Sequence, residues 1–152
     1  MAKISPSAIA PDAALKACLE DSISVQQADG TVEKVAVFAD WERPTNELPN
    51  DFIVIFINGD IEGVGMDIPF AKGYMIVSLY CKMNDDGSVK KNRITKILEQ
   101  FDTRIEKCIC GAYHFEYDAQ RFITPTTPNQ TSGYSVTTLN LRWTTTSDIV
   151  NS

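Results

Sequence analysis

Four cysteines and a single histidine are the residues of this sequence with the most distinctive chemistry. Cys108 and Cys110 form the only close cysteine pair, and His114 follows four residues after the second of them. With Cys81 as a fourth ligand this set could hold a metal ion, but zinc sites usually place at least two residues between paired cysteines. We therefore interpret the cysteines as reduced, mostly buried thiols, and we predict no metal and no cofactor.

No pattern for a nucleophile elbow, a phosphate-binding loop, a dinucleotide-binding loop or a zinc protease occurs in the sequence. A nucleophilic cysteine or serine needs a general base beside it, and His114 falls in a predicted strand between Tyr113 and Phe115, a position typical of packing. We therefore predict that the protein is not an enzyme. The alternative is a small cytosolic ligand-binding or enzyme-like domain with a pocket near Cys81, Cys110 and His114.

An acidic, glycine-rich segment occupies residues 58–69. Its carboxylates, Asp60, Glu62 and Asp67, oppose phosphate binding, and their spacing does not match the calcium loop of EF-hands. Three glycines in the same segment favour a loop or an irregular hairpin. We therefore predict that these three acids project from the body of the domain.

Charge is distributed unevenly along the chain, whose net charge is −6. Residues 1–67 contain twelve acids and four bases, whereas residues 68–152 contain eight acids and ten bases. An acidic chain is a poor candidate for wrapping nucleic acid, which favours a basic surface. The asymmetry is compatible with a solvated surface that is simply uneven, or with copies that pack head to tail through opposite charges.

Length and composition are those of one globular domain, with 152 residues, 43% apolar and 22% charged. A chain of this length buries about two-thirds of the surface exposed on unfolding, so it needs no metal or disulfide to form a core. No apolar run reaches the roughly 18 residues that cross a membrane, and the N-terminus lacks the apolar core of a signal peptide. The expected location after synthesis is the cytoplasm.

Hydrophobic periodicity predicts two helices and five strands. The helix over residues 89–108, with Ser88 as its N-cap, repeats apolar residues on one face. Residues 52–57 are apolar throughout, which indicates a strand covered on both faces, whereas residues 73–83 alternate. The remaining predicted elements are a helix over 7–22, strands over 31–39, 113–117 and 134–146, and a long Pro/Thr-rich connection over 118–133.

Consecutive strands without crossover helices between them favour antiparallel pairing. The predicted fold is therefore α+β, with a mixed, largely antiparallel sheet and both helices packed on one face. We expect a single domain over residues 1–152, in which the acidic segment and the Pro/Thr-rich connection project from the body. Residues 148–152 are expected to fray.

The order of these elements resembles the tail-terminator and neck (tail-completion) proteins of long-tailed bacteriophages and prophages. The similarity covers nearly the whole chain and is one of pattern: an N-terminal helix, an apolar strand, a loop, an alternating strand, a turn and a long amphipathic helix. Two C-terminal strands with a Thr/Pro-rich connection, ending in Leu139-Asn140-Leu141-Arg142-Trp143, complete it. No hallmark set of residues separates a terminator from other neck or tail components.

The resemblance implies a structural subunit of the virion tail or neck, made in the cytoplasm of the bacterial host. Such subunits form a ring, often of six copies, that caps the tail tube and joins it to the head connector. The implied partners are other copies of the chain and the tail-tube and neck/connector proteins. DNA passes through such a ring without specific binding, and no membrane is involved.

Two surfaces of this sequence are assigned roles by that resemblance. The acidic segment with Asp60, Glu62 and Asp67 is expected to line the channel, because negative charge keeps DNA from adhering. A basic face on the long helix is expected to contact the neighbouring subunit, since opposite charges would meet across a head-to-tail contact. The residues of this basic face are Lys90, Lys91, Arg93 and Lys96.

Overall fold

The structure is a computed structural model that describes residues 11–27, 29–39, 42, 49–64, 70–107, 109–110, 113–118, 123–129 and 133–145. The predicted start of the first helix, residues 7–10, and the predicted frayed tail, residues 148–152, lie outside the described residues. In chain order the elements are α1 (Pro11–Leu19), β1 (Ser24–Gln26), β2 (Val32–Lys34), β3 (Ala36–Phe38), β4 (Asp51–Val64), β5 (Phe70–Lys82), α2 (Lys91–Lys107), β6 (Ile109–Cys110), β7 (Tyr113–Tyr117), β8 (Ile123–Asn129) and β9 (Tyr134–Thr145).

The described strands form one mixed sheet and one small hairpin. The large sheet has the strand order β3-β4-β5-β9-β7-β6, and β8 pairs with β9 on the edge that β9 shares with β7. β3 and β4 run parallel, whereas the other pairs are antiparallel. β1 and β2 form the separate antiparallel hairpin. The predicted α+β class and largely antiparallel sheet are confirmed.

Both helices pack on one face of the large sheet, which we call the helix face. Met75, Val77 and Leu79 alternate along β5, point to this face and are buried, as the alternation predicts. Each such apolar side chain contributes about 1.5–3 kcal/mol relative to an exposed one. The helices cover these strand residues with Leu15 and Leu19 from α1 and with Ile94, Ile97, Phe101 and Ile105 from α2.

The opposite side of the sheet, which we call the aromatic face, has a smaller cluster of rings. Phe52 stacks on Tyr80 with ring centroids 4.7 Å apart, and it meets Phe38 and Tyr134 edge-on. The Tyr134 hydroxyl donates a hydrogen bond to the Pro49 carbonyl at 2.7 Å. Each such ring pair adds about 0.5–1.5 kcal/mol beyond its area. β4 is therefore buried on both faces over residues 52–55, as predicted, whereas Phe56 and Ile57 at the end of the apolar run are half-buried.

The strand predicted over residues 31–39 is instead two strands in two sheets. β2 pairs with β1, whereas β3 pairs with β4. Val35 between them is buried and donates its backbone N–H to the Ile23 carbonyl at 2.8 Å. Gly30, with φ of 88°, provides the left-handed residue in the turn of the β1–β2 hairpin. The imperfect alternation of this segment reflects its change of sheet.

The connection predicted over residues 118–133 contains a strand, β8, so that prediction is wrong for residues 123–129. β8 pairs with the first half of β9 although it includes Pro125 and Pro128, and its register shifts between Thr124 and Thr127. Proline cannot donate a backbone hydrogen bond, and it is tolerated in an edge strand or at a bulge. Among the described strands β8 pairs with β9 alone, which is consistent with an edge position.

The turn before α2 satisfies its polar groups internally. α2 begins at Lys91, two residues later than predicted, and Ser88 does not cap it. The Ser88 hydroxyl donates to the Asp86 carboxylate at 2.6 Å and accepts a hydrogen bond from the Asn84 side-chain amide at 2.9 Å. Gly87, with φ of 84°, closes the turn that the sequence predicts here.

Candidate subunit-contact surfaces

Cys81 and His114, which belong to the alternative ligand pocket, lie far apart on the sheet. Cys81 is buried on the helix face and pairs with Ser135 of β9. Burial, together with the nearby Asp51 carboxylate, raises the pKa of the Cys81 thiol and suppresses the thiolate that nucleophilic or metal chemistry needs. His114 is exposed and pairs with Thr144, nine residues further along β9, which corresponds to about 30 Å.

Cys18 forms a disulfide, which corrects the prediction of a reduced thiol at this position, whereas Cys81 is a free, buried thiol as predicted. The side chains of Cys108 and Cys110 lie outside the described part. Cysteine spacing does not reveal connectivity, which is why the sequence prediction failed. Disulfides persist in oxidising surroundings, including virion surfaces, so cysteine usage no longer supports retention in a reducing cytoplasm.

Two clefts border α2 and are lined by polar groups. One of about 330 Å³ lies between α2 and β1, and one of about 510 Å³ follows the exposed side of α2. The Gln100 side chain lines both clefts, and its amide bonds the backbone of β1: it donates to the Ser24 carbonyl at 2.8 Å and accepts the Ser24 N–H at 3.0 Å. Among the described residues, no three of His, Cys, Asp and Glu converge to hold a metal ion. No helix in the described ranges has both the length and the apolar character to cross a bilayer.

The acidic segment belongs in part to a long β-hairpin. β4 and β5 pair up to Asn58, lose register, and pair again where Glu62 stands opposite Lys72. Asp60 and Glu62 therefore lie on a strand, whereas Asp67 lies outside the described residues. The prediction of an irregular hairpin is confirmed for the described part, and the loop alternative is wrong for Asp60 and Glu62. Glycines inside a strand are tolerated at such a bulge, which is why their presence did not exclude pairing.

Arg93 does not belong to the predicted basic face, so that part of the prediction is wrong. Its guanidinium donates to the Asp51 carboxylate from Nε at 2.8 Å and from Nη2 at 2.5 Å, and Nη2 also donates to the Gln27 side chain at 3.1 Å. The hydrogen bonds with Asp51 raise the pKa of Arg93. Asp51 is buried at the start of β4, and this carboxylate draws Arg93 inward across the first turn of α2. Of the other members, Lys91 and Lys96 are exposed and Lys90 is half-buried.

The aromatic face becomes polar towards the outer end of β5. Tyr74 is 48% exposed and stands in a cross-strand row with Arg142 and Glu116. Arg142 donates to the Glu116 carboxylate at 2.7 Å, and Lys72 and His114 are exposed in the next row. We call these five residues the Tyr74 patch. An exposed tyrosine beside an arginine is the composition that protein–protein contacts favour.

Sequence reasoning missed both the Asp51–Arg93 pair and the Tyr74 patch. The pair joins residues 42 positions apart, and nothing local marks them as partners. A weak signal exists at Asp51, since a carboxylate directly before a buried apolar strand needs a partner. At Tyr74 the alternation of β5 predicts only a mixed, partly covered face, which the structure confirms.

A comparison with protein-family models gives no match for this chain, and a search of curated proteins finds no significant relative. The resemblance to phage tail-terminator and neck proteins therefore rests on the order and character of the elements. Function must be inferred from that pattern together with the chain's own surfaces.

Proposed function

We propose that this chain is a structural subunit of a phage neck or tail ring, which caps the tail tube, joins it to the head connector and lets DNA pass. The observation that carries the proposal is the two-sided sheet. Helices cover one face, whereas the other presents the exposed Tyr74 beside the half-buried Ile76, with neither helix packed on it. An accessible sheet face that combines aromatic, apolar and arginine side chains is suited to contact with another protein.

Two further observations support the proposal. Asp60 and Glu62 lie on β4 in the outer part of the β4–β5 hairpin, which pairs as far as Val64 and Phe70. A paired strand gives these two acids the defined backbone position that the lining of a channel would need. The Cys18 disulfide suits a protein that leaves the cell within a particle, since disulfides persist outside the reducing cytoplasm.

The alternative of a small ligand-binding or enzyme-like domain has less support. Its pocket required Cys81, Cys110 and His114 to converge. Cys81 is buried on the helix face, and His114 is exposed beyond the other end of β9. No observation on the described surface favours a different pocket over a contact surface.

The oligomeric state tests the proposal directly. We expect light scattering on the concentrated protein to give the mass of a closed oligomer, and a hexamer would weigh six times the 16.9 kDa of the chain. Negative-stain images should show annular particles of uniform diameter, because closed symmetry limits growth. A chain that stays strictly monomeric at the protein concentrations of an assembling particle would contradict the proposal.

Reversing the charge of the acidic hairpin tests the channel assignment. We expect the variant Asp60→Lys, Glu62→Lys, Asp67→Lys to retain duplex DNA in a gel-shift assay at low salt, whereas the parent protein does not, because lysines attract the phosphates that the acids repel. The retention should weaken steeply as salt is raised.

A second triple variant separates position from net charge. Glu20→Lys, Asp85→Lys, Glu99→Lys makes the same change in net charge at exposed sites away from this hairpin. If both variants bind DNA equally, the effect is one of overall charge, and the channel assignment is wrong. Equal migration of DNA with the parent and the hairpin variant would also contradict it.

A further inference from the structure

A row of exposed polar side chains runs along the solvent side of α2, opposite the side that packs on the sheet. Its members recur at spacings of four, three and four residues, which places them on one side of a helix. We call this row the α2 stripe, and it consists of Asn92, Lys96, Glu99 and Thr103.

The two charges of the α2 stripe have no counter-charge in the described part of the chain. Lys96 and Glu99 form no ion pair with any described residue, although they are three positions apart on one helix. The order glutamate before lysine is the more favourable one for a pair along a helix, and here the order is reversed. Both charged groups are therefore open to a partner from outside the chain.

The α2 stripe is its own complement when a second copy of the helix runs in the opposite direction. Its spacing reads the same from either end, so reversal places Lys96 of each copy opposite Glu99 of the other. Reversal also places Asn92 opposite Thr103. The Thr103 hydroxyl donates to the Glu99 carbonyl at 3.0 Å, which leaves its oxygen free to accept an N–H from an asparagine amide.

The surroundings of the stripe leave room for a second helix. Lys96 and Glu99 line the cleft of about 330 Å³ between α2 and β1, and Glu99 and Thr103 line the cleft of about 510 Å³. Helices pack by placing the side-chain ridge of one in the groove of the other, with axes about 8–10 Å apart. An antiparallel arrangement also sets the positive end of each helix dipole beside the negative end of the other.

We propose that two copies of this chain associate through a two-fold contact between their α2 stripes, in which Lys96 of each copy pairs with Glu99 of the other. The contact uses the helix layer, whereas the proposed ring uses the sheet face, so this inference goes beyond the proposed function and does not depend on it. A contact through one helix per copy belongs to the small interfaces, below about 1,200 Å². We therefore expect a weak association that salt weakens further.

Charge reversal tests the contact, with the dissociation constant measured by sedimentation velocity at low salt over a concentration series. We expect Lys96→Glu and Glu99→Lys each to raise this constant by about tenfold or more, because each variant places two pairs of like charges across the contact. The double variant Lys96→Glu, Glu99→Lys exchanges the charges and should restore association. An equimolar mixture of the two single variants should also associate, since one offers only acids and the other only bases.

Lys91→Glu is the matched control, because it makes the same change in net charge at an exposed residue of α2 outside the stripe. It should leave the dissociation constant nearly unchanged. An equal loss of association in Lys91→Glu would overturn the proposed contact, and so would a failure of both the double variant and the mixture to associate. Each variant should keep the circular dichroism of the parent, since all the substituted side chains are exposed.

The mass of the parent protein separates this proposal from the ring. If rings are joined through the α2 stripe, Lys96→Glu should halve the mass while annular particles remain. A parent oligomer whose mass is the same in Lys96→Glu at every concentration overturns the two-fold contact and leaves the ring subunit standing. A simple dimer that Lys96→Glu dissociates supports this contact and contradicts the ring. A parent that is monomeric at every concentration overturns both proposals.

Discussion

Replacing Arg93 by alanine is expected to lower the free energy of unfolding by about 3 kcal/mol, the lower end of the range for breaking a buried ion pair. The Asp51 side chain is 3% exposed, so the substitution leaves a carboxylate buried without its bidentate partner. We take the lower end because the Arg93 side chain is 16% exposed, which lets some water replace it. Urea unfolding at a fixed protein concentration measures the change as a lower midpoint with an unchanged slope.

Lys96→Ala is the matched control, because Lys96 lies one turn further along α2 and is exposed. It should change the free energy of unfolding by no more than about 0.5 kcal/mol. The double variant Asp51→Leu, Arg93→Met removes both charges, and it should recover most of the lost stability, since apolar pairs often replace buried ion pairs without cost. If Arg93→Ala changed the free energy of unfolding as little as Lys96→Ala, the Asp51–Arg93 ion pair would not be a stabilising contact of the fold.

Periodic patterns in the sequence predicted the elements whose burial is decided locally. The alternation of Met75, Val77 and Leu79 and the helical spacing of Ile94 and Phe101 both reappear as buried faces of one core. These patterns are readable because side-chain direction follows directly from the backbone period. The class of fold and the two-sided burial of β4 followed from the same reasoning.

Features that depend on distant partners could not be predicted. Residues 123–129 form the strand β8 because their backbone pairs with β9. Their own proline and threonine residues indicate a loop, so the strand has no local signal. The sequence predicts that Arg93 is one more base on the exposed side of an amphipathic helix, because its partner Asp51 is distant in the sequence. The disulfide of Cys18 likewise has no signal in the sequence of α1, because cysteine spacing does not reveal connectivity. In each case the structure is determined by a tertiary contact, which leaves no periodic pattern in the sequence.

Replacing Gly73 by alanine should also destabilise the fold, by about 1–3 kcal/mol, because it overpacks a buried site. A Cβ atom on Gly73 would lie 2.7 Å from Cζ2 and 2.9 Å from Nε1 of Trp143, closer than real contacts allow. Trp143 is fully buried, so its indole cannot move aside without displacing the core around it. This cost opposes the roughly 0.5–1 kcal/mol that alanine usually gains over glycine within a strand or helix.

A second substitution shows whether the indole is the cause. Trp143→Phe removes the atoms that crowd Gly73, and it breaks no side-chain hydrogen bond to the described residues, because Nε1 has no partner among them. In the Trp143→Phe background, Gly73→Ala should cost less by about 0.5–3 kcal/mol, which is the coupling expected of residues in contact. Urea midpoints of the four proteins in this cycle measure the coupling. Additive effects would mean that Gly73 is required for its backbone alone, whereas strong coupling would mean that the indole fixes how closely β5 and β9 approach beside the Tyr74 patch.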